Sequence, residues 1–193
     1  MSAILAVCGE NFCAMVSDGR MVEEPIRNDK PNIITNDLPK LRKVNPRVIV
    51  GFAGDVLAAV QIVNALDEYD TRYLTLEKAV KILREKAQTV QTQPVGVRLL
   101  VGGRGRKGGF LLTSLGSEDG YEPQTQQARP GAYLIEGACA HTEIGSLLDK
   151  HLRAGAEHWR SMDDIAASLD ACIRDAAARD ETANDKIYRQ LVY

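Results

Sequence analysis

The sequence predicts an α+β fold in which two β-sheets are stacked between layers of helices. Two observations carry that reading. At least six segments look like strands, and several are apolar at odd and even positions alike, so both faces of their sheets must be covered. Two pairs of segments carry apolar residues at helical spacing and can supply the cover.

Residues 2–8 (SAILAVC) and 12–17 (FCAMVS) flank Gly9-Glu10-Asn11, which predicts a β-hairpin. Residues 46–53 (PRVIVGFA) form another two-faced strand. Val56, Ala59, Val60, Val63 and Leu66 then share one helical face, and Leu76, Val80, Leu83, Ala87 and Val90 share another. Strand-like segments follow at 95–102, 109–115 and 131–136, joined by stretches rich in Gly, Arg and Gln that read as turns. Ile144, Leu147, Leu148 and Leu152 make a third helical stripe. Ser161 opens S-M-D-D, a capping-box-like start, ahead of a fourth stripe of Ile165, Leu169, Cys172 and Ala176. Residues 185–193 (DKIYRQLVY) alternate like an edge strand.

Nothing divides the 193 residues, so one domain over 1–193 is expected. Lys plus Arg is 24 and Asp plus Glu is 26, for a net charge of −2 without a polybasic tract. Nucleic acid and anionic membranes are therefore not expected partners. No apolar run approaches the ~20 residues of a membrane span, and MSAILAVCGEN lacks the basic start of a signal peptide. Cys8, Cys13, Cys139 and Cys172 are too sparse for a disulfide scaffold, so the expected compartment is cytoplasmic. Cys8 and Cys13 read as core residues. His141, His151 and His158 read as surface or interface residues, and Tyr188 and Tyr193 as edge packing. The GGRGRKGG stretch from Gly102 to Gly109 lacks the spacing of a phosphate loop and reads as a hairpin turn. No cofactor or metal is expected.

The hairpin also suggests chemistry. With Cys8 opposite Phe12, Ser2 falls opposite Asp18, about 5 Å away between Cβ atoms. A chain starting Met-Ser is expected to lose its first residue, leaving Ser2 with a hydroxyl and a free α-amine. Such an amine titrates near ~7.7–8.0 and can take the hydroxyl proton at neutral pH. A nearby lysine depresses the amine pKa, and a carboxylate holds that lysine in place.

The runs S-A-I-L-A-V, M-V-S-D-G-R and K-L-R-K-V-N-P-R-V-I-V-G-F-A-G resemble a proteasome β-type subunit or the bacterial HslV peptidase, both N-terminal nucleophile hydrolases. RLLVGG with GFLLTSLGSEDG looks like the family's central hairpin. The resemblance implies a four-layer αββα sandwich and cleavage of peptide bonds. It puts Ser2 at the nucleophile, Lys40 at the catalytic lysine, Asp18 at its carboxylate and Asp180 at a later aspartate. Gly54 takes the place of the oxyanion-hole glycine. Backbone N–H groups at such a strand-to-helix turn are expected to be unpaired and outward-facing. Arg20, Met21, Leu38, Phe52 and Val56 fall on the substrate-binding positions, with an apolar side chain expected in the substrate. A homo-oligomer is implied, in stacked rings for the family. An ATPase partner is an open question.

The chain departs from the family at three places. Its nucleophile is serine rather than threonine, E-G-A-C (Glu136 to Cys139) replaces a Gly-Ser-Gly turn, and Ala183 stands where a serine is expected. Taken singly, Ser2, Asp18-Gly19, Lys40 and Gly54-Asp55 read as a chain end, a turn, a solvated lysine and a strand-to-helix turn. A catalytically inactive subunit acting in assembly is the alternative function.

Overall fold

A computed structural model of the chain describes residues 3–23, 31–139 and 144–193. The elements in chain order are β1 (Ala3–Gly9), β2 (Phe12–Ser17), β3 (Met21–Val22), β4 (Ile33–Thr35), β5 (Leu41–Asn45), β6 (Val48–Gly54), α1 (Val56–Asn64), α2 (Leu76–Ala87), β7 (Val97–Arg104), β8 (Phe110–Gly116), β9 (Gln124–Gln127), β10 (Leu134–Cys139), α3 (Ile144–Leu148), α4 (Met162–Arg179) and β11 (Tyr188–Val192). Among the described residues, no helix is long and apolar enough to cross a membrane.

The two larger antiparallel sheets are ordered β10-β1-β2-β11 and β5-β6-β7-β8-β9, and β3 and β4 pair in a separate two-stranded ribbon. Side chains alternate across each strand and so feed two cores at once. Ile4, Ala6, Cys8, Cys13 and Met15 meet Ile49, Leu100 and Leu112 between the sheets. Leu5, Val7 and Val16 turn the other way, onto Leu147, Leu152, Ile165, Leu169 and Ile173 of α3, α4 and the turn between them. Val48, Val50, Phe52, Leu99 and Val101 pack against Ile62, Leu66, Leu76 and Leu83 of α1, α2 and the turn joining them. Three apolar cores separate four layers, so the architecture is the αββα sandwich.

The helix ends follow from local chemistry. Thr75 caps α2, accepting the Lys78 N–H. Ser161 and Asp164 form a reciprocal capping box on α4. The Gly102–Gly109 stretch contributes the ends of β7 and the turn into β8, as expected. Cys8 and Cys13 face each other across β1 and β2, fully buried. His151 is half-buried against Asp175 at 2.8 Å. His141 lies outside the described residues.

One expectation needs correcting. The first turn holds two residues, Glu10 and Asn11, and Gly9 stays in the strand opposite Phe12. A Cβ on Gly9 would sit 2.4 Å from the Phe12 ring, so the glycine makes room for that ring and keeps the pairing tight. Cys8 therefore pairs with Cys13, not Phe12, and Asp18 falls opposite Ala3 rather than Ser2. Four strands also lacked a sequence signature. β3 and β4 are two and three residues long. β5 (LRKVN) and β9 (QTQQ) lie at the sheet edges, where hydrogen bonding rather than apolar alternation defines them.

Candidate active site

Asp18 follows β2 at the base of the first hairpin and is fully buried. Its Oδ1 accepts the Lys40 ammonium at 2.6 Å and the Ala3 N–H at 2.8 Å. Its Oδ2 accepts backbone N–H groups of Arg20 at 2.8 Å and Asn184 at 3.3 Å. Both oxygens are thus saturated, which a buried carboxylate requires.

Lys40 sits just ahead of β5 and is also fully shielded from water. Its carbonyl accepts the Phe52 N–H at 3.0 Å, and its N–H reaches Ser17 Oγ at 3.4 Å. The residue is therefore fastened to one strand of each sheet. Burial lowers its pKa below that of an ordinary lysine. The Asp18 charge and hydrogen bond oppose the shift without cancelling it, and the Arg20 charge adds slightly to it. The ammonium carries three donors, of which Asp18 takes one.

Ala3 lies between Asp18 on one side and Cys139 of β10 on the other. Ser2, the residue bonded to its nitrogen, falls outside the described residues. The structure thus brings Lys40 and Asp18 together at the amide that follows Ser2.

Gly54 ends β6 with φ +95°, a region that favours glycine. A Cβ there would lie 2.2 Å from the Gly96 carbonyl oxygen. Asp55 follows and caps α1: its Oδ1 accepts the Ala58 N–H at 3.2 Å and its Oδ2 the Gln93 N–H at 2.9 Å. The Asp55 N–H goes to Gly96 O at 2.7 Å. The expectation of unpaired N–H groups at this turn therefore fails for Asp55 and Ala58, whose donors are spent holding the turn rigid.

A pocket of about 270 Å3 opens beside Gly54 and is lined by Met21, Val56, Ile34 and Gln61, among others. A second hollow of about 150 Å3 is also lined by Gly54, together with Val97 and Cys139. Met21 and Val56 therefore stand on the pocket wall. Phe52 and Leu38 do not: Phe52 points into the core under α1 and α2, and Leu38 packs against that core. Arg20 is also away from the wall. Its Nε donates to Asn36 Oδ1 at 2.7 Å and its Nη1 to the Glu181 carbonyl at 2.7 Å, tying the first hairpin to the segment after α4. Asp180 caps the end of α4, accepts the Thr182 N–H at 2.8 Å and has Cys139 Sγ 3.8 Å from its Oδ2. Four residues on, the Asn184 N–H makes the contact to Asp18.

Sequence reasoning missed Asn184. Besides donating to Asp18, it accepts the Gly19 N–H at 2.8 Å and donates to the Asn36 carbonyl at 3.1 Å. Its position four residues after Asp180 was the available signal, but an asparagine in a loop carries no mark of such a role.

Two sandwiched sheets with a buried lysine–carboxylate pair at the head of the first strand define a class. The chain belongs to the proteasome subunit family, whose pattern matches residues 2–190, and so at family level stands among proteasome-type proteases. Among solved structures, its fold is similar to that in the crystal structure of eukaryotic HslV from Trypanosoma brucei. The two share 15% identity, with a TM-score of 0.62 over 98% of each chain. That likeness establishes the fold.

Proposed function

We propose that this chain hydrolyses peptide bonds, with Ser2 as the nucleophile once Met1 is removed. The observation that supports this is the buried Lys40–Asp18 pair, hydrogen-bonded to the amide next after Ser2. In the proposed reaction the Ser2 hydroxyl oxygen attacks the substrate carbonyl carbon, and its proton passes to the Ser2 α-amine. Lys40, held by Asp18, keeps that amine neutral by raising the cost of a second positive charge. Negative charge developing on the carbonyl oxygen is received at the Gly54 backbone. The tetrahedral species then expels the leaving amine, which takes the proton from the α-amine, and an ester links Ser2 to the acyl group. Water cleaves the ester, releasing the acid and restoring the hydroxyl. The pocket beside Gly54 takes the substrate side chain against Met21 and Val56. Asp180 braces the segment 180–184 that carries Asn184. The chain works as a homo-oligomer and needs no cofactor.

The test compares the full-length protein with Ser2→Ala on a panel of fluorogenic peptides, with intact mass recorded for both. Loss of Met1 in the parent and loss of turnover in the variant are expected. Equal turnover in the two removes Ser2 from the mechanism. A second reading, an inactive assembly subunit, has its own support: Ala183 is buried where a serine is expected, and the stretch Glu136 to Cys139 carries no hydroxyl side chain. Retained Met1 together with absent turnover selects that reading.

A further inference from the structure

We infer that the end of the five-stranded sheet opposite Gly54 is a binding site for an oligophosphate anion. The β5–β6 turn, the β7–β8 turn and the segment leading into α2 enclose a pocket of about 720 Å3, within the range of small-molecule sites. Arg47, Arg72, Arg104 and Arg106 line it, together with Pro46 and Tyr73. β6 runs from Val48 at this pocket to Gly54 at the candidate active site, so the two are about 20 Å apart at ~3.3 Å per residue.

The walls are fixed before any ligand arrives. Asn45 Nδ2 donates to the carbonyls of Thr71 at 2.8 Å and Leu74 at 2.9 Å. The Arg104 N–H reaches the Arg47 carbonyl at 2.9 Å. Next to it, Gly103 lies so close that a Cβ would be 1.9 Å from the same oxygen. The Arg106 N–H is held by Glu77 Oε1 at 2.8 Å.

The charge is not balanced internally. Asp70 binds the Arg72 guanidinium at 2.9 and 2.7 Å, and Glu77 faces Arg106. Four guanidinium groups thus meet two carboxylates. Among the described residues, the guanidinium groups of Arg47 and Arg104 have no hydrogen-bond or ion-pair partner. Arg42, Arg84, Arg98, Arg179 and Arg189, by contrast, each meet a carboxylate. In a chain of net charge −2 this is a local excess of about two positive charges in one concavity. A guanidinium fork matches phosphate oxygens bidentately, and a compact anion with two or more charges neutralises the excess. An acidic peptide would call for cations spread along a strip, whereas these four line a single concavity. Tyr73, 77% exposed with the Arg72 guanidinium over its ring, offers a stacking face should the phosphates belong to a nucleotide.

Calorimetric titration of the full chain at low salt with sodium tripolyphosphate, and separately with ATP, tests the site. One saturable event per chain is expected, weakened by about tenfold or more in R47A/R104A, which removes two charge-assisted contacts, and unchanged in R153A. Far-UV circular dichroism and thermal unfolding check the variants, and R47Q and R104Q singly replace the double variant where it unfolds early. Y73A weakening ATP but not tripolyphosphate assigns a nucleotide; equal binding assigns the inorganic anion. Absence of heat with both phosphates, equal binding in R47A/R104A, or titration by poly-glutamate alone overturns the inference. None of these readouts depends on Ser2 being active.

Discussion

Lys40 and Asp18 share one hydrogen bond in a place water does not reach, so removing either strands the charge of the other. K40M should therefore cost about 3–5 kcal/mol in urea unfolding and abolish turnover, while D18N/K40M should recover part of the stability and none of the turnover. The pair also sets a pH dependence. Burial lowers the Lys40 pKa below 10.5, so the folded chain holds that proton more weakly than the unfolded chain. The destabilising term is full-sized below the folded pKa and shrinks as pH rises toward 10.5. Unfolding curves taken from neutral pH upward should show the parent gaining stability relative to D18N/K40M as the pH approaches 10.5. A gap that narrows instead contradicts the buried charge. Cys172 behaves in the opposite sense: burial pushes its thiol up to about 12, and Cys8 is raised too, mainly by burial. Peptide mapping after thiol labelling at pH 8.5 should find both unmodified in the native protein and labelled in denaturant.

At the scale of elements, the β6–α1 junction depends on one side chain. Asp55 holds the start of α1 through Ala58 and the loop before β7 through Gln93. D55A should lower stability by about 1–3 kcal/mol, as expected when buried donors lose their acceptor, and should reduce turnover more than D55N does. Chemical denaturation and peptide assays on the two variants separate these effects. The junction also shows what a sequence can disclose. Gly54 was legible because a positive φ at a strand end leaves glycine as the natural choice. The helices were legible because one face of each is buried and the other is not. β5 and β9 were not, because an edge strand is defined by a partner elsewhere in the chain. The first hairpin was found but mispaired by one residue, since the apolar runs tolerate either register and Gly9 gave no sign that it belonged to the strand. Asn184 escaped for the same reason as β9: its value comes from a contact 166 positions away.

At the scale of the molecule, the sheet bearing the candidate site is assembled from both ends of the chain. β1 is flanked by β2 and β10, and β2 by β1 and β11. Deleting 188–193 would bare the apolar β2 as a sheet edge. The truncated protein is expected to aggregate, with light scattering and a fall in soluble yield as the readout. That arrangement bears on how the molecule comes into being. During synthesis β1 is not enclosed until residues 134–139 have followed it, and β2 not until residues 188–192 have followed. Until then the apolar first hairpin waits with its outer partners unmade, and its enclosure is timed by segments more than a hundred residues further along.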